Sequence, residues 1–162
     1  MPQARQPMAT TIQSYEFSQL DFREVLRTAL AKGASLRFAA SGSSMDPFIK
    51  DGDVVTVAPL PARLVPGDIV AAVSPANGLV IVHRIVSLNE GEARLKGDNL
   101  PAADGTAAGA ALLGRVTRVE RSGRPVVLGS ERGSGLIACL SRWNLLRVFV
   151  RIGAVLLSFR KQ

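Results

Sequence analysis

The chain contains one cysteine, Cys139, and one histidine, His83, in 162 residues. A lone thiol closes no intramolecular disulfide, and one imidazole with one thiol falls short of the ligand set that zinc takes. No metal and no other cofactor is expected. Long hydrophobic runs are also lacking. The first twenty residues hold no continuous apolar stretch of the kind that marks a secretory signal peptide. No segment reaches the roughly 20 uninterrupted apolar residues of an ordinary transmembrane helix. The nearest candidate, LLRVFVRIGAVLLSF at 145–159, is short and carries Arg147 and Arg151 inside it.

What is present suits one domain with appended terminal elements: 47% apolar residues, enough for a core, and a net charge of +7. That charge is unevenly spread. Residues 1–114 hold ten Lys/Arg against eleven Asp/Glu, a net of −1, whereas 115–162 hold ten against two, a net of +8. The basic tail calls for an acidic partner. Its apolar content and near lack of lysine favour an anionic membrane surface over nucleic acid.

Residues 1–17 read as a polar, disordered lead. Ser18 has the position of an N-cap with Asp21 three residues on, and Phe22, Val25, Leu26, Ala29 and Leu30 follow at helical spacing. Gly33 is a stop signal, so a helix is expected at about 19–32. The pattern then changes to short β-like runs: 36–40, 53–59, 68–73, 79–86, 93–96 and 112–120. Turn formers separate them, among them Pro66-Gly67, Asn89 to Gly91, and Gly97-Asp98-Asn99. Such spacing predicts a small, mainly β domain at 18–120, an antiparallel folded sheet or barrel carrying an N-terminal helix. Residues 101–111, rich in Ala and Gly, read as a linker, and 121–135 as a connector. Residues 136–162 read as a basic, apolar helix, which packs on the domain or a partner, lies at a membrane interface, or spans the membrane with snorkelling arginines.

Chemistry centres on SGSSMDPFIKDGDVV, 41–55, and on His83 within LVIVHRIV. A serine before a turn and a histidine in an apolar strand are each ordinary structural features. Together they offer a hydroxyl and a base that can activate it. A carboxylate that fixes the imidazole would complete the set, and KGDNLPAAD supplies both Asp98 and Asp104. Spacing alone does not choose between them.

Four strings in order make a more specific pattern: SSMDP followed by IKDGDVV, then PGDIV at 66–70, VHRIV at 82–86 and KGDN at 96–99. Over about residues 36–120 they resemble the type I signal peptidase superfamily, whose fold is shared by self-cleaving repressors. With His83-Arg84 on the base-bearing strand and no lysine between Lys50 and Lys96, the chain resembles the histidine-base branch, that of endoplasmic-reticulum, archaeal and sporulation-type enzymes. It is similar to compact bacterial members in which a soluble helix precedes the motif.

The resemblance implies a signal-peptidase-type β fold, a Ser44 nucleophile, a His83 base and Asp104 as the third residue. Met45 and Asp98 would support the site, Asp98 by shaping its turn. The sequence departs from many relatives by placing Gly42, not a serine, two residues before the nucleophile. The oxyanion would then rest on the Ser44 backbone N–H, assisted by Ser43 or Ser41. The implied activity is that of a serine endopeptidase acting on an extended precursor or leader peptide at the cell membrane. The alternative is a non-catalytic or self-processing regulator with the same fold.

Overall fold

A computed structural model of the chain describes residues 19–128. It opens with helix α1 (Gln19–Ala31). Phe22, Leu26 and Leu30 recur every fourth residue and form one stripe; Leu26 and Leu30 are buried, and Phe22 packs beside them. Val25, expected to join this face, is 44% exposed. It lies about 100° around the helix from Leu26, off the stripe. The helix ends as expected at Gly33, whose positive φ lets Ala34 N–H reach the Ala29 carbonyl and Gly33 N–H the Leu30 carbonyl.

Eight strands follow: β1 (Leu36–Ala39), β2 (Val54–Ala58), β3 (Ile69–Val73), β4 (Val80–Asn89), β5 (Glu92–Lys96), β6 (Gly105–Ala108), β7 (Leu112–Arg121) and β8 (Arg124–Pro125). All pair antiparallel in one sheet of order β1-β2-β7-β3-β4-β5-β6, with β8 added to β7. The sheet has open ends at β1 and β6 and is not a closed barrel, which corrects the barrel alternative. Six strands match the sequence expectation. The other two, β6 and β8, do not. Gly-Thr-Ala-Ala of β6 has little strand propensity and sits in the presumed linker, yet it pairs with β5 from Glu92↔Ala108 to Leu95↔Gly105. β8 is two residues long and is returned to β7 by the Ser122-Gly123 turn, both residues having positive φ.

The sheet separates two apolar clusters. Leu26 and Leu30 of α1 join Val55, Val57, Ile69, Ala71 and Val119 on one face, while Val70, Ala72, Ile85, Leu95 and Ala107 pack on the other. β3 feeds both clusters alternately, which explains its unbroken Ile-Val-Ala-Ala-Val run. Val126 and Leu128 fold back onto the first cluster. The lead 1–17, the expected N-cap Ser18, the rest of the connector from 129, and the expected helix at 136–162 lie outside the described residues. Among the described residues no helix is long and apolar enough to cross a membrane.

Two free edges decide where a site can form. Among the described residues β1 pairs only with β2. β4 pairs with β3 along Val80–Arg84 but with β5 only from Arg84 onward, so among the described residues Val80 to His83 leave one edge unpaired. Helix α1 touches β1, β4 and β7. The sheet coils around this helix until the two free edges form opposite walls of one cleft of about 470 Å³.

Candidate active site

The cleft is lined by Ala39 to Gly42, Ser44 and Met45 from the β1 side and by Val80 to His83 from β4. Ser44 sits on the turn that leaves β1. That turn is fixed from below by Met45 and Ile49, both buried, and Ile49 and Phe48 donate their N–H groups to the Met45 carbonyl. Upstream, Gly42 adopts φ +91°, and its N–H donates to Asp51 Oδ1 at 2.8 Å. A side chain would be strained at that φ, which gives a backbone reason for the glycine at this position.

His83 is buried, and its two ring nitrogens face two different groups. Nε2 is 3.0 Å from Ser44 Oγ, and Nδ1 is hydrogen-bonded to the Asp104 carboxylate. An ionised carboxylate can only accept, so Nδ1 carries the proton and the Nε2 lone pair receives the Ser44 hydroxyl. Ser44, His83 and Asp104 thus form one hydrogen-bonded row. Asp104 is held at the start of β6, where its N–H donates to the Leu95 carbonyl. Sequence spacing left Asp98 and Asp104 open as partners of His83; the geometry assigns the contact to Asp104.

Asp98 has a different partner. It is fully buried and grips Arg84, the residue after His83, through two bonds: Nε to Oδ1 at 2.8 Å and Nη2 to Oδ2 at 2.6 Å. Arg84 also donates to the Gly67 carbonyl at 3.0 Å and lies 5.3 Å from the Phe48 ring centre. Successive side chains of a strand point to opposite faces, so β4 sends His83 to Ser44 and Arg84 to the Gly97–Asn99 turn. That turn in turn holds Ser44: Asn99 N–H donates to the Ser44 carbonyl at 2.8 Å, and Asn99 Nδ2 to the Ser43 carbonyl at 3.1 Å. Gly97 packs so closely that a Cβ there would meet the Ser44 carbonyl oxygen at 2.7 Å.

Of the two serines expected to assist, Ser41 lines the cleft and Ser43 does not; Ser43 contributes its carbonyl to the turn. Arg84, Asn99 and Asp51 escaped the sequence reading as parts of the site. Arg84 had left a signal, a charge inside an otherwise apolar run, which demands a buried partner. Asn99 and Asp51 looked like ordinary turn residues. Farther back, Arg121 on β7 chelates Asp53 at 2.9 and 2.8 Å, and Lys50 N–H donates to the same carboxylate. The Arg121 hydrogen bonds hold the Asp53 carboxyl below the usual aspartate range although burial pushes it up, and the Asp53 carboxylate raises the Arg121 pKa in return. Among the described residues no cluster of three His, Cys, Asp or Glu side chains could hold a metal.

A family model described as Peptidase S24-like matches residues 5–117, more than half of the chain and all of the site. No curated protein matches the sequence.

Proposed function

The chain belongs to the Peptidase S24-like family, and from that premise we propose that it is a serine endopeptidase of signal-peptidase type with a histidine base. The family supports a serine peptidase or self-cleaving repressor fold, and its members include non-catalytic regulators. The observation that carries the enzymatic reading is His83, buried and bonded at once to Ser44 and Asp104. A solvated polar cluster has no need to align a hydroxyl, an imidazole and a carboxylate in that order.

The mechanism follows from the row. Ser44 Oγ attacks a peptide carbonyl carbon while its proton moves to His83 Nε2. Asp104 keeps Nδ1 protonated and stabilises the imidazolium. Imidazolium then protonates the leaving amine nitrogen as the C–N bond breaks, which leaves an ester on Ser44. His83 deprotonates a water that attacks the ester, the bond from the acyl carbon to Ser44 Oγ breaks, and the imidazolium returns its proton to Oγ as the acid product leaves. The Ser44 backbone N–H and the Ser41 hydroxyl are the proposed oxyanion donors. An extended peptide adds as a strand to the free edges of β1 and β4, its main chain satisfying theirs. The substrate class is a precursor or leader peptide.

A self-processing role at 101–111 is disfavoured by β6. Opening that segment to reach Ser44 would withdraw Asp104 from His83 and strip β5 of one of its two neighbours. The test incubates wild type and Ser44→Ala with a leader-peptide library in detergent. Cleavage by wild type alone, at a rate proportional to enzyme concentration, is expected. Equal cleavage by both removes the serine mechanism, and concentration-independent cleavage of the chain itself supports the self-processing regulator.

A further inference from the structure

Most of the α1 stripe is core, but its first member is not fully enclosed. Leu26 and Leu30 lie under the sheet, whereas Phe22, one turn earlier, is half-buried and lines the same cleft as Ser44 and His83. It meets Phe38 of β1 edge to face, with ring centres 4.9 Å apart and planes at 77°. Val80 and Val82 pack on the same apolar cluster from the β4 side. The floor between the two free edges is therefore aromatic and aliphatic, and one of its rings comes from outside the sheet.

Position along the cleft gives that ring its meaning. Val80 precedes His83 by three residues within β4, so it stands about 10 Å along the strand from the base, and Phe38 lies near the end of β1, six residues before Ser44. A peptide lying between β1 and β4 points every second side chain at this floor. A substrate side chain pointed at this floor would meet the Phe22–Phe38 pair.

Resting on the peptidase reading above, we infer that Phe22 is a specificity-determining residue: its ring, braced by Phe38, sets the largest side chain the cleft accepts at that subsite. In that role α1 serves as one wall of the substrate site. A purely structural role for Phe22, stapling the start of α1 to β1, predicts lower stability with unchanged selectivity. The two roles separate on a ratio.

The test scans a peptide series with Ala, Val, Leu or Phe at each position. It measures kcat/KM for wild type, Phe22→Leu and Phe22→Ala, and peptide binding by the same three sequences in a Ser44→Ala background. Phe22→Leu keeps an apolar residue on the stripe and guards against misfolding, and thermal unfolding verifies each variant. The expected result is a Leu-to-Ala preference at one position that rises about tenfold or more in Phe22→Ala, with Phe22→Leu between, since a cleft of this kind discriminates by the space it leaves. The same shift should appear in binding. An unchanged ratio in folded Phe22 variants overturns the inference while cleavage itself upholds the peptidase. If wild type cleaves nothing but the binding preference still shifts, the peptidase reading fails and the Phe22 wall stands. Absence of both cleavage and binding overturns both.

Discussion

At the scale of single residues, the site depends on where one carbonyl sits. The Ser44 carbonyl receives the Asn99 N–H and lies against Gly97, where nothing larger than hydrogen fits. A Cβ at 2.7 Å from backbone oxygen has no flexible partner to push aside. Gly97→Ala should therefore displace Ser44 Oγ from His83 and lower kcat by about 10²-fold, as misplacement near 1 Å does. KM should change little, since the walls formed by β1 and β4 are untouched. Steady-state kinetics on one library peptide measures both, and wild-type kcat in Gly97→Ala would show that this close approach does not position the nucleophile. Ser44 and His83 were legible in the sequence because they combine with recurring strings. Asp104 was named only through family likeness, because two aspartates flank one turn and spacing is blind to which faces β4. Gly97 read as a turn residue, and its close approach to Ser44 could not be read from a neighbour 53 positions away.

At the scale of elements, β4 does two jobs on its two faces. Its His83 serves the cleft and its Arg84 locks the 97–99 turn through Asp98, both side chains being almost wholly buried. Removing one partner of such a pair strands a charge in the interior, which costs about 3–5 kcal/mol. Arg84→Met alone should shift the urea midpoint strongly, while Arg84→Met combined with Asp98→Leu should recover a good part of the loss. Losses that simply add would show that the pair is not coupled. The long strands and α1 were readable from alternation and from the four-residue apolar spacing. β6 was not: an Ala-Gly segment has no periodicity, and it becomes a strand because β5 offers it a partner edge. Val25 was misplaced because helical apolar spacing leaves more than one face possible until a sheet selects one.

At the scale of the whole molecule, one antiparallel sheet coils around a helix and leaves two strand edges free where the Ser44–His83–Asp104 row lies. Coiling is held by contacts between distant segments. The Asp53–Arg121 pair is the clearest, tying the end of the nucleophile loop to β7 across 68 residues. Asp53 has its folded pKa depressed, chiefly by Arg121, so its contribution is present above the ordinary aspartate value of about 3.9 and fades as pH falls through the folded value. Arg121 is more than a third exposed, and solvent screening keeps this contribution to about 1 kcal/mol. Asp53→Asn should lower stability at pH 7 by about that amount and flatten the loss that wild type shows below pH 4. Parallel acid-unfolding curves for the two proteins would contradict this.

Catalysis in this cleft turns on His83 acting as the base for Ser44, and kcat/KM for wild type, Ser44→Ala, His83→Ala and Asp104→Asn on a single cleavable peptide tests that role most directly. The predicted result is a loss of roughly 10⁴-fold or more in each alanine variant and up to about 10⁴-fold in Asp104→Asn, with all four proteins folded. Undiminished cleavage by His83→Ala would contradict it.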